Sequence, residues 1–217
     1  MIKAIIFDLD NTIYSTKSVG RNLFKPVMKV IKKNNDFLSE NDLKSIEKDL
    51  WFYNLDLIAK KYSFPLHFYN LVKNAYFSVR IKKSLRPFAD FRIIKGFPCL
   101  KFLVTAGSEV LQQSKIEALG IRHYFNDIFI SSFNEFEGFK GKEQIFQDII
   151  QNYNFNPSQV LVVGDDPSSE IVAGNNLGLV TVQMCKKVKP CDNALFHVKN
   201  FYELKRLLIK WNLNKLS

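Results

Sequence analysis

Cysteine is scarce in this chain: Cys99, Cys185 and Cys191 are the only three in 217 residues. They fall in no metal-ligand spacing and cannot all pair. A disulfide framework is therefore not expected, and reduced thiols in the cytoplasm are. No apolar run approaches the length that spans a bilayer. The run at the start carries one lysine and is cut by Asp8 too early for a secretory leader. No tract rich in Gly, Ser or Pro forms a linker, and no internal repeat or low-complexity segment occurs. Acids are outnumbered, 21 against 31 Lys and Arg, for a net charge of +10. The lysines are nevertheless dispersed, in pairs such as Lys32-Lys33, Lys60-Lys61, Lys82-Lys83 and Lys186-Lys187, with no RNA-type stacking motif beside them. A dedicated nucleic-acid site is not expected, although the positive balance helps any anionic substrate approach.

What the chain does have is a globular composition, 47% hydrophobic and 24% charged, with 20 Phe and 8 Tyr to build a Phe-heavy core. Its most informative segment is residues 4–12, Ala-Ile-Ile-Phe-Asp8-Leu-Asp10-Asn-Thr12. A short apolar run without helical spacing reads as a strand buried on both faces. Asp8 and Asp10, two residues apart, would face one spot at its carboxyl end, where open α/β sheets place ligands. Two carboxylates there repel one another unless a cation or a shared proton relieves them. The same residues also suit a strand that exits into a polar turn.

Residues 18–33, 39–61 and 65–79 carry apolar positions at helical spacing. Ser39 and Asp42 form a capping box, Pro65 stands at a first helical position, and Pro26 kinks or starts the first helix. From about Pro87 strands alternate with helices: strands at Lys101–Val104, Asp127–Ile130, Val160–Val163, Leu179–Gln183 and Leu195–Val198, helices near 108–119, 142–153, 168–177 and 202–213. This pattern predicts an α/β fold, a Rossmann-like parallel sheet sandwiched by helices. The all-helical insert then becomes a cap. The expected division is a core of residues 1–14 and 86–217 and a cap of residues 15–85.

Other strand ends carry chemistry as well. Thr105-Ala106-Gly107 closes one strand with a hydroxyl and then backbone amides at a helix start, which suits either phosphate oxygens or simple capping by Thr105 or Ser108. Gly164-Asp165-Asp166 closes another. Gly164 lets the backbone turn and Asp165 is placed to join Asp8 around a hard cation, for which oxygen ligands favour Mg²⁺. Asp166 and Glu170 suit the start of the next helix, or a place behind the ligands. Lys140 and Lys142, in a Gly-containing loop ahead of a helix, could each balance the carboxylates.

That order, Asp-x-Asp-x-Thr, strand-Thr, Lys, Gly-Asp-Asp, resembles the haloacid dehalogenase superfamily, with a helical cap after the first motif. The resemblance implies Asp8 as nucleophile and Asp10 as acid/base, with Asp10 also giving its backbone carbonyl to the metal. It implies Thr105 and the amides of Ala106 and Gly107 as phosphate ligands, Lys140 as the charge-balancing lysine, and Asp8, Asp10 and Asp165 around Mg²⁺. Gly141 stands where the family commonly has Pro, which keeps Lys142 open beside Lys140. The implied activity is a Mg²⁺-dependent phosphomonoesterase acting through an aspartyl phosphate on a small phosphorylated metabolite, such as a nucleoside monophosphate or a sugar phosphate. A phosphosugar mutase would use the same residues. A 2-haloacid dehalogenase would need neither Asp10 nor a metal, and a non-catalytic binding protein would need none of the set. In the cap, Trp51, Phe52, Tyr53, Tyr62, Phe64, Phe68, Tyr69 and Tyr76 are expected mostly to build its core, leaving one or two rings for a ligand.

Overall fold

The computed structural model describes residues 1–134, 138–139 and 141–213. In chain order its strands are β1 (Ala4–Phe7), β2 (Leu100–Ala106), β3 (Asp127–Ser131), β4 (Phe133–Asn134), β5 (Gly138–Phe139), β6 (Val160–Gly164), β7 (Val180–Met184) and β8 (Phe196–Val198). The α-helices are α1 (Lys25–Asn34), α2 (Glu40–Asp49), α3 (Leu55–Lys61), α4 (Leu66–Phe77), α5 (Glu109–Leu119), α6 (Lys142–Asn152), α7 (Val172–Asn176) and α8 (Phe201–Leu213).

Six strands form one parallel sheet in the order β3-β2-β1-β6-β7-β8. Alternation explains why its central strands are apolar throughout. Ile5, Phe7, Leu103, Leu161 and Val163 enter one buried cluster, while Ala4, Ile6, Phe102, Val104, Val160 and Val162 enter another on the opposite face. Both faces are thus covered, as a parallel sheet requires. The chain runs outward from β1 through β2 to β3, then returns to β6 on the other side of β1. Strand order reverses at β1, so a crevice opens at the carboxyl ends of β1, β2 and β6.

The helices α1 to α4 gather a third cluster of their own, with Val27, Ile31, Ile46, Phe68 and Val72 at its centre and Leu111 of α5 joining from the sheet side. The Ser39–Asp42 capping box forms as the spacing predicted. Pro26 lies in the first turn of α1, so the helix starts there instead of kinking. The single helix expected over 39–61 is two. Leu50 and Leu55 are both buried, so apolar spacing runs on across the break, but the Asn54 side chain accepts from the Leu57 amide and restarts the helix. The helix expected near 168–177 is a π-type turn over Pro167–Ile171 followed by α7. The short antiparallel β4–β5 pair was not anticipated. Among the described residues no helix is long and apolar enough to cross a membrane, and Cys99, Cys185 and Cys191 carry free thiols.

Candidate active site

β1 delivers Asp8 to the crevice. The Asp8 amide donates to the Val163 carbonyl at 2.9 Å, carrying the β1–β6 ladder one residue further, and the side chain arrives 4% exposed. The turn that follows needs a left-handed residue. Asn11 takes it at φ 57°, a conformation short polar side chains tolerate, and its Oδ1 accepts from Thr16 Oγ1 at 2.8 Å.

Two lysines divide the two acids between them. Lys142, in the first turn of α6, donates to Asp8 Oδ1 at 2.7 Å and to Glu170 Oε1. It is therefore the lysine seen at the site; Lys140 lies outside the described residues. Lys115, on α5, donates to Asp10 Oδ1 and Oδ2 at 2.9 and 2.8 Å. Tyr14 Oη donates to Asp10 Oδ1 at 2.6 Å and Gln112 Nε2 to Oδ2 at 3.2 Å.

The consequences for protonation are opposite. Burial, followed by the charge of Glu170, pushes Asp8 well above the usual carboxylate range against the pull of Lys142. Burial would push Asp10 up too, but the Lys115 ammonium and the Lys115, Tyr14 and Gln112 hydrogen bonds outweigh it and hold Asp10 low. Burial works against the Lys142 ammonium, yet Asp8 and Glu170 raise its pKa overall. Asp165, beyond the end of β6, is pushed up to about 7 by burial and by the charges of Glu170 and Asp166.

Asp8, Asp165 and Glu170 offer carboxylate oxygens that all lie within 4.8 Å of one another. Hard oxygen donors, desolvated and mutually repelling, with Lys142 the one ammonium among them in the described residues, fit a divalent cation such as Mg²⁺. Glu170 is 2% exposed and belongs to this cluster, closer to the ligands than a mere complement to the helix start. Asp166 does what the sequence suggested, accepting from the Ser168 amide at 2.8 Å to cap the π-type turn. The Asp10 carboxylate stands apart from the cluster, turned to Lys115.

Gly164 has a different purpose from the one expected. It sits within β6, not in a left-handed turn. A Cβ there would meet Glu170 Oε2, Cγ and Cβ at 2.5, 2.6 and 2.8 Å, so the glycine makes room for the buried carboxylate. Gly164→Ala is expected to displace Glu170, cost about 1–3 kcal/mol of stability by overpacking and lower turnover; thermal denaturation and phosphate release measure both.

Thr105, 1% exposed, accepts from Gln112 Nε2 at 2.5 Å. The same nitrogen donates to the Ala106 carbonyl at 2.8 Å. Gly107 takes φ 143°, which favours glycine, and its amide donates to the Ser131 carbonyl at 3.0 Å. That amide is therefore engaged within the fold, a correction to its expected place among the phosphate donors. Neither Thr105 nor Ser108 caps α5 through its side chain, so the capping alternative falls away.

Gln112, Lys115 and Tyr14 were not singled out from the sequence. A signal existed for two of them: Gln112 and Lys115 interrupt the stripe of α5 that buries Leu111, Ile116 and Leu119, where polar residues need a partner. A cavity of about 800 Å³ opens over these groups. Asp10, Asp165, Gln112 and Lys115 line it from the sheet side, and Trp51, Phe52 and Tyr53 of the turn between α2 and α3, with Tyr76 of α4, from the other. Phe52 and Tyr53 are 81% and 48% exposed; the Tyr53 ring lies under the Lys61 ammonium at 6.0 Å, while Phe52 faces the cavity. Most of the others pack together, as Phe64 and Phe68 do with centroids 4.9 Å apart.

Comparison with known proteins agrees with this fold. A family model described as haloacid dehalogenase-like hydrolase matches residues 2–178. The chain is 27% identical over 211 residues to a glyceraldehyde 3-phosphate phosphatase of Methanopyrus kandleri, covering 85% of this chain and 84% of that one. It is 32% identical over 112 residues to the pyrimidine 5′-nucleotidase YjjG of Escherichia coli, covering 50% and 49%. Among solved structures it resembles the HAD-hydrolase YfnB of Bacillus subtilis, determined bound to magnesium, with a TM-score of 0.64 at 19% identity over 95% of this chain and 98% of that one.

Proposed function

Since the chain belongs to the haloacid dehalogenase-like hydrolases, we propose that it is a Mg²⁺-dependent phosphomonoesterase that turns over a small phosphorylated metabolite through an aspartyl phosphate on Asp8. The observation that carries this reading is Asp8 itself, a buried carboxylate at the end of the central strand, flanked by Asp165, Glu170 and Lys142. A surface acid in a turn would have no such company.

Bound by Asp8, Asp165, the Asp10 carbonyl and, directly or through water, Glu170, the metal would supply positive charge that lets one anion approach another. Asp8 attacks phosphorus in line with the leaving oxygen; the bond to that oxygen breaks as the bond to Asp8 forms. Asp10, taking up a proton as substrate binds, delivers it to the leaving oxygen, then accepts one from the water that attacks the acyl phosphate. Lys142 balances charge on the transferring group, in the role the family pattern gives Lys140. The Thr105 hydroxyl and the Ala106 amide steady the remaining phosphate oxygens.

The relatives direct the choice of substrates to test, a triose phosphate and a pyrimidine nucleotide among them. Inorganic phosphate is expected from at least one alkyl monoester in a panel of triose phosphates, hexose phosphates and nucleoside monophosphates, with Mg²⁺ and not with chelator. Isomerisation of a phosphosugar without release would favour the mutase instead. Release that survives chelation would refute the metal's part.

A further inference from the structure

Lysine is almost never buried without a charged partner, and a buried ion pair seldom stabilises a fold more than apolar residues of the same volume would. Lys115 is 8% exposed in the core-facing stripe of α5. Among the described residues its ammonium has one carboxylate partner, Asp10, and it reaches both oxygens at nearly equal distance, 2.9 and 2.8 Å. The Asp10 side chain is 27% exposed against 10% for that of Lys115. Lys115 thus holds the Asp10 carboxylate where it borders the cavity, which Lys115 lines as well. Gln112, one turn earlier on the same helix face, ties Asp10 to Thr105 and to the Ala106 carbonyl. A helix that needed only to pack on the sheet would carry Leu or Met at 115.

We infer that Lys115 is a positioning residue for the reaction, setting the Asp10 carboxylate in the orientation from which it exchanges protons with the leaving oxygen. This rests on the reading of Asp10 as the acid/base. Lys115 reaches Asp10 and not the Asp8, Asp165 and Glu170 cluster, and the role inferred for it acts through Asp10.

The test compares two esters in the full-length enzyme with Mg²⁺. One is the fastest alkyl monoester of the panel above, whose alkoxide needs a proton to leave. The other is p-nitrophenyl phosphate, whose phenolate does not. The readout is kcat/KM, which covers the steps up to formation of the aspartyl phosphate. Asp10→Asn sets the reference and is expected to lower the alkyl-to-aryl ratio of kcat/KM by about 100-fold or more. Lys115→Met, which keeps the stem and removes the charge, is expected to lower the same ratio by at least about tenfold, with Lys115→Arg recovering part of it. Lys115→Gln is read in the same way where the Met variant does not fold. A fall of both esters alike in a folded Lys115 variant, or no fall in either, overturns the positioning role. An unchanged ratio in Asp10→Asn refutes the acid/base reading instead. No phosphate release from either ester by the unaltered enzyme refutes the phosphatase reading and this inference with it.

Discussion

Asp8→Asn is expected to leave a folded protein with no measurable phosphate release, a loss on the order of 10⁴-fold or more. The exchange is nearly isosteric at a position 4% exposed, so packing is preserved, but an amide offers no anionic oxygen to phosphorus. Stability should move the other way. Burial and Glu170 raise the folded pKa of Asp8 above its unfolded value, so at intermediate pH the native state binds the extra proton. Stability of the unaltered chain then falls as pH rises from the unfolded pKa through the folded one. The Asn variant lacks this penalty. In metal-free buffer it should melt at or above the temperature of the unaltered protein at neutral pH, the gap closing toward acid where Asp8 takes up its proton. A phosphorylated Asp8 peptide, recovered from quenched enzyme and absent from the variant, would connect the loss to the covalent step. Near-normal release from Asp8→Asn would end the covalent route.

What could be read from the sequence was whatever depends on neighbours in the chain. The strands of the parallel sheet from β2 onward match the predicted runs to within about two residues, because strands covered on both faces favour apolar side chains. Asp8, Asp10, Thr105 and Asp165 were visible as polar punctuation at strand ends, and topology did the rest by placing β2 and β6 on either side of β1. What escaped depends on how helices are rotated against the sheet. Lys115 lies 105 positions from Asp10, and Lys142 lies 134 from Asp8. Nothing local distinguishes Lys115 from a surface lysine except the stripe it interrupts. The choice between Lys140 and Lys142 turns on where α6 begins, and chain order alone identifies only the loop. Gly164 was read as a turn residue because glycine permits turns. Its actual reason, the Glu170 side chain lying across it, is a contact between residues whose packing no spacing rule expresses.

Lys142→Met is expected to separate turnover from metal binding. Turnover should fall by about 10²–10³-fold, as when one charge-stabilising donor is removed from an acyl- or phosphoryl-transfer site. Mg²⁺ affinity should follow pH in a way that reveals the lysine's part. Lys142 is the cation that now faces Asp8 and Glu170, and its charge also holds down the pKa of Asp165, which stands at about 7. Without it the pKa values of Asp8 and Asp165 rise further, and protons compete harder for the oxygens that would bind the metal. Well above the Asp165 value, at about pH 8.5, Asp165 is ionised and the Lys142 ammonium is gone, and the variant should bind Mg²⁺ more tightly than the unaltered chain. Near about pH 6.5 the order should reverse, because the metal must first displace protons. Breaking a buried pair also leaves like charges unrelieved, so the metal-free variant should lose about 3–5 kcal/mol of stability, and Mg²⁺ should restore part of it by binding only the native state. Calorimetric Mg²⁺ titrations at the two pH values, with melting curves beside them, read all three effects. Loss of Mg²⁺ binding at the higher pH in a folded variant would mean that Lys142 holds the carboxylates in place, and that charge balance is not its purpose.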